Sequence, residues 1–410
     1  MRLVTPTQPT RLRSRRQKRR VHRGALTLLL IFFVAVALQL FRPLPNAVIK
    51  LTLRVPQPVA ETTVAWPDDN RVAVAAEGYG VIAFHGSAEP LATASIAKVI
   101  TALCVLEKHP LKLNESGPLI TIQSRDIALY EKQVQSNGSR IPVKIGMQLS
   151  EYQAIQALMI PSANNIADTL AGWAFGDIGA YSTYANEFLQ RHGLVQTHVG
   201  LDASGLDPST TSSATDLARL GLLARKNPVL MQIAGQKNVV LPYAGEYENY
   251  NRALGLAGIN GLKTGNNDQN PGALLFTADL PLGQTKIQLS GAVMGAESLQ
   301  DAIDKSVKVV SSLEDDFEKV IVAGQNEQVG TLVTAWGKTV PVLVKGELAI
   351  VRWKPHTIKT RQTLTQTTGT HSQTVGAIAL QTGETHTSTS LYLNQPATNP
   401  SLWWRLTRLR

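Results

Sequence analysis

The sequence predicts an α+β protein in two parts: an antiparallel sheet flanked by helices plus an all-helical lobe, followed by a small all-β, sandwich-like domain. In the first part, strand-like runs stand on either side of a helical middle. From about residue 318, short strand-like runs rich in Thr and Val take over, which is typical of a small β-sandwich. We expect a functional site in the cleft between the first sheet and the helical lobe.

The individual elements follow from local patterns of apolar residues and turn residues. In the first part, the predicted strands are Thr62–Trp66, Val72–Phe84, Val239–Tyr243, Leu262–Lys263, Leu274–Ala278 and Ile287–Val293. The predicted helices there are Ser150–Ile160, Asn165–Ala174 and Ser298–Leu313, the last of which closes this part. The predicted strands of the second part include Gly330–Trp336, Val340–Val344, Leu348–Val351 and Ser388–Leu393.

Ser95 and Lys98 form the first of three motifs that carry chemistry. The run after Ser95 is almost wholly apolar and lacks Gly and Pro, which predicts a buried helix with Ser95 at its N-terminus. A spacing of three places both side chains on one helix face, so the amine can reach the hydroxyl. A serine becomes nucleophilic when an adjacent base takes its proton. Lysine can be that base if burial or a second cation, such as Lys263, lowers its pKa.

Ser162 and Asn164 form the second motif, and Lys263, Thr264 and Gly265 form the third. The second motif follows Pro161, where a helical run ends, and a new helix is predicted to start at Asn164 or the next residue. Plain helix capping is the competing interpretation of its two polar side chains. The third motif reads as a strand entered from a turn, where a glycine lets a substrate backbone approach closely. Its lysine and hydroxyl could hold a free carboxylate.

The three motifs, in this order and over this span, resemble the serine D-alanyl-D-alanine carboxypeptidase family of low-molecular-mass penicillin-binding proteins. Further strings are similar to the family's own motifs, namely Leu158–Ala167, Ser212–Ala218 and Gly261–Gly265. The similarity covers residues from about 65 to 313 and continues more weakly to about 395. It implies a β-lactamase/transpeptidase-like fold and a serine peptidase that forms an acyl-enzyme.

The resemblance also implies a role for each motif residue. Ser95 would be the nucleophile, Lys98 the general base and Ser162 a proton relay, which are the three catalytic positions. Asn164 would grip a substrate peptide group, and Lys263 and Thr264 would bind the terminal carboxylate of the substrate beside Gly265. The backbone N–H groups of Ser95 and Asn266 would form the oxyanion hole. The substrate class would be peptidoglycan stem peptides, with β-lactams as covalent inhibitors.

Three departures from the family pattern are visible. Ala97 stands where the family usually has Thr, and Asn165 replaces the usual Asp. The segment Asn267–Gly272 replaces the usual run after the third motif. We expect the last departure to affect substrate preference more than chemistry.

Several functions on the same fold stay open at this stage. A DD-endopeptidase would cleave a cross-link instead of a terminal bond. A β-lactamase would need a dedicated deacylating acid, and residues 162–263 contain no E-x-x-x-N string. An esterase, or a slow-turnover penicillin-sensing or scaffold protein, is the remaining alternative.

The net charge of +10 does not describe the body of the protein. Residues 1–23 hold nine Arg or Lys and no acid, and the last six residues add three arginines. These twelve cations exceed the net charge of +10, so residues 24–404 carry a small net negative charge. Although the N-terminal run resembles a nucleic-acid-binding patch, the apolar segment after it favours a membrane, and no nucleic-acid partner is expected.

Gly24–Phe41 is an uncharged, apolar stretch. As a helix it would span about 27 Å, close to the thickness of a bilayer core. The excess of cations on its N-terminal side predicts a cytoplasmic tail and an extracytoplasmic body. We therefore expect an uncleaved signal anchor in the plasma membrane, crossed once. A cleaved signal peptide is the alternative, because Ala35–Ala37 fits a small-x-small cleavage site.

The expected organisation has six segments. These are a basic cytoplasmic tail (1–23), a transmembrane anchor (24–41), an extracytoplasmic tether (42–60), the catalytic domain (61–317), the β-rich domain (318–395) and a basic aromatic tail (396–410). In that tail, Leu402, Leu406 and Leu409 fall on one helical face, so it could rest on an anionic membrane or stay disordered.

Cysteine and histidine usage argues against other chemistries. The single cysteine, Cys104, excludes an internal disulfide and lies in the predicted buried helix, where packing is the expected role. The sequence has no H-E-x-x-H or paired C-x-x-C string. We therefore expect neither a metal nor another cofactor.

Overall fold

The computed structural model describes residues 11–62, 64–371 and 373–408. The helices are α1 (Arg11–Phe41), α2 (Ala97–Lys108), α3 (Ser124–Gln135), α4 (Glu151–Met159), α5 (Asn164–Phe175), α6 (Ile178–Arg191), α7 (Ala214–Arg225), α8 (Pro228–Ala234), α9 (Leu299–Ser312) and α10 (Leu402–Thr407). Two 3-10 turns, Ala94–Ile96 and Glu314–Asp316, precede α2 and follow α9.

The first twelve strands precede α9 in the chain. They are β1 (Val48–Leu51), β2 (Arg71–Ala76), β3 (Gly80–His85), β4 (Leu91–Ala92), β5 (Leu119–Thr121), β6 (Gln148–Ser150), β7 (Thr211–Ser212), β8 (Asn238–Leu241), β9 (Gly245–Glu248), β10 (Ile259–Asn267), β11 (Asn270–Leu282) and β12 (Thr285–Ala296). The remaining strands are β13 (Phe317–Ala323), β14 (Gln328–Val333), β15 (Thr339–Val344), β16 (Leu348–Trp353), β17 (Lys359–Leu364), β18 (Thr374–Thr382) and β19 (Thr385–Tyr392).

The central sheet is antiparallel and has the strand order β10-β11-β12-β2-β3. Side chains alternate between its two faces, as the strand period of two requires. Leu275 packs in the core that includes α7, whereas Leu274 and Phe276 pack in the core that includes α9. The sheet is therefore covered by a helix on each face, and β10 forms one of its edges.

The helical lobe lies on the α7 side of the sheet. It is built from α2 to α6 and α8, with the short pair β5–β6 inserted. Helix α2 is buried from Ala97 through Leu106, because nearly all of these residues are apolar. This confirms the predicted antiparallel sheet with flanking helices and a helical lobe, and it places α2 between the lobe and the edge of the sheet.

The C-terminal part is all-β up to its last helix, as expected. A six-stranded sheet has the order β1-β14-β15-β19-β18-β17, and β13 pairs with β16 beside it. Strand β1 lies in the segment predicted to be a tether, and it pairs with β14 in antiparallel register. Residues 48–51 are therefore part of this sheet. The two parts of the chain meet where Tyr79 packs near Phe317, which in turn packs against Trp353.

Two predicted strands differ from the structure. The described residues of Thr62–Trp66 form no strand, although Val64 is buried in the central core. Val72–Phe84 is a hairpin of β2 and β3 instead of one strand. Gly78 and Gly80, with φ of +78° and +69°, form the turn between them, and this conformation suits glycine. The other predicted helices and strands agree within a few residues.

Helix α1 contains the predicted anchor, and its Lys18–Phe41 segment is long and apolar enough to cross a membrane. The short helix α10 lies against its C-terminal end. Arg405 donates a hydrogen bond to the Leu40 carbonyl (3.0 Å), and Arg408 donates to the carbonyls of Arg42 and Pro43. These bonds satisfy carbonyl groups at a helix end. Leu402 and Trp403 remain 70% and 75% exposed.

Candidate active site

Ser95 lies in the 3-10 turn Ala94–Ile96, directly before α2. The sequence predicted the start of an α-helix here, and the tighter turn is the difference. Ala94 has a φ of +47°, an uncommon conformation for a residue with a Cβ atom. The turn leaves Ser95 partly exposed, while its neighbours Ala94 and Ile96 are buried. The hydroxyl is thus presented at the surface of an otherwise buried segment.

Lys98 is fully buried one turn later and donates three hydrogen bonds. Its acceptors are Ser95 Oγ (2.8 Å), Asn164 Oδ1 (2.7 Å) and the Ser204 carbonyl (3.0 Å). None of the ion pairs among the described residues includes this lysine. Burial lowers the pKa of Lys98 from 10.5 to about 7, against the opposing negative charges of Asp202 and Asp168. At neutral pH a large fraction of the amine is therefore unprotonated and can accept the serine proton.

The second motif occupies the loop between α4 and α5. Ser162 is buried in the left-handed region (φ +58°), and its Oγ has no hydrogen-bond partner among the described residues. Asn164 begins α5, and its side chain links two elements. Its Oδ1 accepts from Lys98, while its Nδ2 donates to Gln133 Oε1 at 3.0 Å. The amide orientation of Asn164 is thereby set from both sides.

The third motif lies on the edge strand β10. Lys263 and Thr264 are almost fully buried, and Lys263 Nζ donates to the Thr264 carbonyl (3.2 Å). Burial, followed by the positive charge of Lys98, holds the pKa of Lys263 well below its ordinary value. A Cβ atom on Gly265 would lie 2.9 Å from the Thr93 carbonyl. Glycine therefore lets β10 pack directly against the turn that carries Ser95.

A polar cleft of about 410 Å³ lies in front of these groups. Ser95, Asn164 and Asn266 line it directly. The loop Ser136–Ser139 contributes to its lining, as does the turn between β10 and β11. The three motifs are thus brought together around one cleft, although Lys98, Ser162, Lys263 and Thr264 are themselves nearly inaccessible.

Sequence reasoning missed several supporting residues. Gln133 orients Asn164, and the Ser204 carbonyl receives Lys98. Asp202 accepts from the backbone N–H groups of Ser204, Gly205 and Asp207 and so shapes the loop that provides this carbonyl. A Cβ atom on Gly205 would lie 2.0 Å from the Ala94 carbonyl. The turn residues of Asp202–Gly205 were the only sequence signal for this loop, and they look like those of an ordinary surface turn.

Two of the departures from the family pattern have structural explanations. Asn165 accepts from the Ile141 N–H and donates to the Ile141 carbonyl, at 3.2 and 3.1 Å. An aspartate could accept but could not donate to that carbonyl. Asn270 is fully buried, donates to the Ala92 carbonyl and accepts from the Gly295 N–H, both at 2.9 Å. These two asparagines fasten the opposite walls of the cleft to the core.

No group of three His, Cys, Asp or Glu side chains suited to a metal ion exists within the described part of the chain. Cys104 is buried, and burial raises the pKa of its thiol strongly, in line with a packing role.

A serine that is hydrogen-bonded to a buried lysine, on an antiparallel sheet with flanking helices, is typical of serine acyl-transfer enzymes. A family model described as D-alanyl-D-alanine carboxypeptidase matches residues 65–298, more than half of the chain. The chain belongs to that family.

Known proteins with related sequences or folds agree with this assignment. The D-alanyl-D-alanine carboxypeptidase DacA of Escherichia coli K12 is 27% identical over 225 residues, which are 53% of each chain. The chain thus spans about half the length of the curated relatives it matches. Penicillin binding protein 5 from Haemophilus influenzae has a similar fold, with a TM-score of 0.57, 18% identity, and coverage of 85% of this chain and 100% of that one.

Two further solved structures share the fold. A peptidoglycan synthesis regulatory factor (PBP3) from Streptococcus pneumoniae superposes with a TM-score of 0.61 and 16% identity, covering 80% of this chain and 99% of that one. The Streptomyces K15 DD-transpeptidase superposes with a TM-score of 0.52 and 21% identity, covering 63% and 98%. At these identities the likeness establishes the fold.

Proposed function

We propose that this protein is a serine D-alanyl-D-alanine carboxypeptidase that removes the terminal D-alanine from peptidoglycan stem peptides. The observation that carries the proposal is the 2.8 Å hydrogen bond between Lys98 Nζ and Ser95 Oγ. The lysine is fully buried and belongs to none of the ion pairs found in the described part of the chain. Burying a cation in this way is energetically costly. Titratable groups in such environments cluster at functional sites.

The first half of the reaction is acylation. Neutral Lys98 accepts the Ser95 proton while Oγ attacks the carbonyl carbon between the two D-alanines. The backbone N–H groups of Ser95 and Asn266 stabilise the oxyanion. Lys98, with Ser162 as a relay, returns the proton to the leaving amine. The C–N bond breaks, free D-alanine leaves, and the remaining peptide stays on Ser95 as an ester.

The second half is hydrolysis of that ester. Departure of D-alanine opens the face from which water attacks, with Lys98 or Ser162 accepting its proton. A β-lactam acylates Ser95 in the same way, but its leaving group stays attached and blocks this path. No glutamate is among the described residues that line the cleft. We therefore infer that β-lactams are long-lived inhibitors of this protein and poor substrates.

The terminal carboxylate of the substrate binds at Lys263 and Thr264. Both side chains are buried on β10, shortly before Asn266, which lines the cleft. In a buried setting an ammonium and a hydroxyl are worth more to an anion than in water. Asn164, oriented by Gln133, presents its amide to a peptide group of the substrate. Gly265 lets the substrate backbone approach β10.

We propose that α1 anchors the protein in the plasma membrane as a single uncleaved span, with the body outside. Residues 61–317 act as the catalytic unit, and residues 318–395 hold it at a distance from the bilayer. The contact of α10 with the outer end of α1 supports this arrangement, because it puts Leu402 and Trp403 at the level of the headgroups. N-terminal sequencing of the native protein tests it, since a mature start at Leu38 would establish signal-peptide cleavage.

Two measurements on the purified protein test the activity. D-alanine release is followed from an acyl-D-Ala-D-Ala pentapeptide, and conversion to monomer is followed for a cross-linked dimer. The penicilloyl adduct is followed by mass after free penicillin is removed. We expect release from the pentapeptide and an adduct on Ser95 that persists. Faster cleavage of the dimer into monomers would indicate an endopeptidase, and loss of the adduct within seconds would indicate a β-lactamase. A stable adduct without peptide turnover would indicate a sensor.

A further inference from the structure

A second polar pocket, of about 300 Å³, lies beside the loop that leads from β9 into β10. This loop closes on the start of β10, because the Gly255 N–H donates to the Ile259 carbonyl at 2.8 Å. Asn266, which lines the cleft, is near the other end of the same strand. Among the described residues, none lines both the pocket and the cleft. The pocket is therefore separate from the proposed catalytic site.

The floor of the pocket includes Asn249, which is 7% exposed. Its Nδ2 donates to the carbonyls of Ala234 (3.2 Å) and Gln236 (2.9 Å), and its Oδ1 accepts from the Asn251 N–H (2.9 Å). These bonds fasten the loop to the end of α8. The floor is therefore ordered before any ligand arrives, so binding costs little conformational entropy there.

Asn251, also on the floor, has an amide group that is only half satisfied. The residue is 2% exposed, and its Oδ1 accepts from the Ala253 N–H at 3.1 Å. This bond sets the orientation of the amide and leaves Nδ2 as its other end. Nδ2 has no hydrogen-bond partner among the described residues. A buried donor without an acceptor is costly, so the pocket favours a ligand that brings an acceptor atom.

The exposed rim of the pocket indicates the charge of that ligand. Lys237 lies on this rim and belongs to none of the ion pairs among the described residues. Glu248 is the one acid among the described lining residues, and Arg252 pairs with it at 2.7 Å. The lining thus holds two cations and one acid, and the acid already has a partner. A carboxylate would supply both an acceptor for Asn251 and a negative charge for Lys237.

We propose that this pocket binds a small carboxylate, which accepts a hydrogen bond from Asn251 Nδ2 and pairs with Lys237. A volume of about 300 Å³ is at the lower end of the range for small-molecule sites and suits a single amino acid or the last residue of a peptide. The inference goes beyond the proposed carboxypeptidase function and does not depend on it.

The test titrates the full-length protein calorimetrically with N-acetylglycine and with its neutral amide. We expect the acid to bind more tightly than the amide. Asn251→Asp keeps the oxygen that accepts from Ala253 but replaces the free donor with an anionic oxygen. It should weaken binding of the acid by about 10–150-fold, the equivalent of one charge-assisted hydrogen bond.

Two lysine variants provide the matched comparison. Lys237→Gln should weaken binding of N-acetylglycine by about two- to fivefold, the range for exposed charges. Lys345→Gln, which removes an exposed lysine of the C-terminal part, should leave binding unchanged. The cleft is unaltered in every variant, so any binding of the probe there is the same in all of the titrations.

A free amino acid and a peptide terminus both present a carboxylate, and glycine separates these two sources. Weaker binding of glycine than of N-acetylglycine would identify a peptide terminus, because the free ammonium is repelled by Lys237. Tighter binding of glycine would identify a free amino acid. Either order supports a carboxylate site, provided that Asn251→Asp weakens both.

Three results would overturn the proposal. They are absence of binding, equal binding of N-acetylglycine and its amide, and binding of the acid that survives Asn251→Asp. If Asn251→Asp does not fold, Lys237→Gln decides the question, and unchanged binding in that variant would overturn the site. None of these results bears on the release of D-alanine, which tests the proposed function separately.

Discussion

Two regions of this protein bury cationic side chains, and the regions differ in whether the cation has a carboxylate partner. In the C-terminal part, Arg352 is 2% exposed, and its guanidinium donates to Glu318 Oε1 and to the Pro56 carbonyl at 2.5–3.0 Å. At the cleft, Lys98 and Lys263 are just as buried, yet neither belongs to any of the ion pairs among the described residues. Their hydrogen bonds go only to neutral oxygen atoms.

We interpret this difference as one between a structural cation and a cation that takes part in the proposed reaction. The ion pair of Arg352 with Glu318 offsets the cost of burying the guanidinium, and Arg352 joins the segment before the central sheet to β13 and β16. Lys98 belongs to no ion pair among the described residues, and the negative charges of Asp202 and Asp168 only partly oppose the effect of burial, so its pKa falls to about 7 and it can exchange a proton near neutral pH. We infer that ion pairing distinguishes the buried cation that supports the fold from the one proposed to support the chemistry.

The largest effect is expected at Ser95, the proposed nucleophile that is hydrogen-bonded to Lys98. Ser95→Ala removes the nucleophile but few packing atoms, so the fold should persist. We expect covalent labelling by penicillin to disappear and D-alanine release to fall by about 10³-fold or more. Mass spectrometry of the labelled protein and circular dichroism of the variant check the two halves of this prediction. A penicilloyl adduct on any residue other than Ser95 would contradict the assignment.

Exchange of each buried cation for methionine tests the comparison directly. Lys98→Met should slow acylation by about 10²–10⁴-fold, the range for loss of a general base. Its stability at pH 7 should change little, because relief from burying an ammonium offsets the acceptors left without a donor. Arg352→Met should do the reverse, with unchanged acylation and a loss of about 1.5–3 kcal/mol in the free energy of unfolding.

Urea unfolding and stopped-flow acylation, carried out on both variants, measure these effects. Two results would contradict the distinction between the two cations. One is a loss of unfolding free energy in Lys98→Met as large as that in Arg352→Met, and the other is slow acylation of Arg352→Met by penicillin.

The motif chemistry could be predicted from sequence because it is local. Ser95 and Lys98 share one helix face, and their apolar neighbours already indicate burial. The motif order and the resemblance then bring in Asn164 and Lys263. The fold class followed from strand-like runs around a helical middle, since these patterns also depend on neighbouring residues.

The parts that were missed depend on contacts between distant segments. Gln133 meets Asn164 across the lobe, and Ser204 reaches Lys98 from a loop far along the chain. Strand β1 pairs with β14 although proline-rich sequence surrounds it, because an available sheet edge overrides weak local propensity. The hairpin within Val72–Phe84 was missed because its glycines were not read as a turn.

A smaller effect is expected at the second unpaired cation. If Lys263 and Thr264 hold the terminal carboxylate, amidation of that group removes a charge-assisted hydrogen bond. We expect kcat/KM to fall by about 10–150-fold, the equivalent of about 1.5–3 kcal/mol. The measurement compares D-alanine and D-alaninamide release from otherwise identical peptides. Equal rates would indicate that Lys263 is buried for another reason and would favour cross-link cleavage or esterase activity.

The smallest effect is the pH dependence that the unpaired Lys98 imposes. If the neutral amine is the base, as we propose, penicillin acylation should rise about tenfold per pH unit below pH 7 and level off above it. In the folded protein the pKa of Lys98 is about 7, below its ordinary value of 10.5, so the unfolded chain binds more protons between these values. Stability therefore rises with pH in this window, by at most about 1.4 kcal/mol per unit from this group.

Urea unfolding between pH 6 and 9 should show this slope as a difference between the unmodified protein and Lys98→Met. Arg352→Met serves as the control, because it removes a buried cation that belongs to an ion pair away from the cleft. A difference between the unmodified protein and Lys98→Met that stays constant across the window would mean that Lys98 keeps its proton, and the distinction between the two buried cations would then fail.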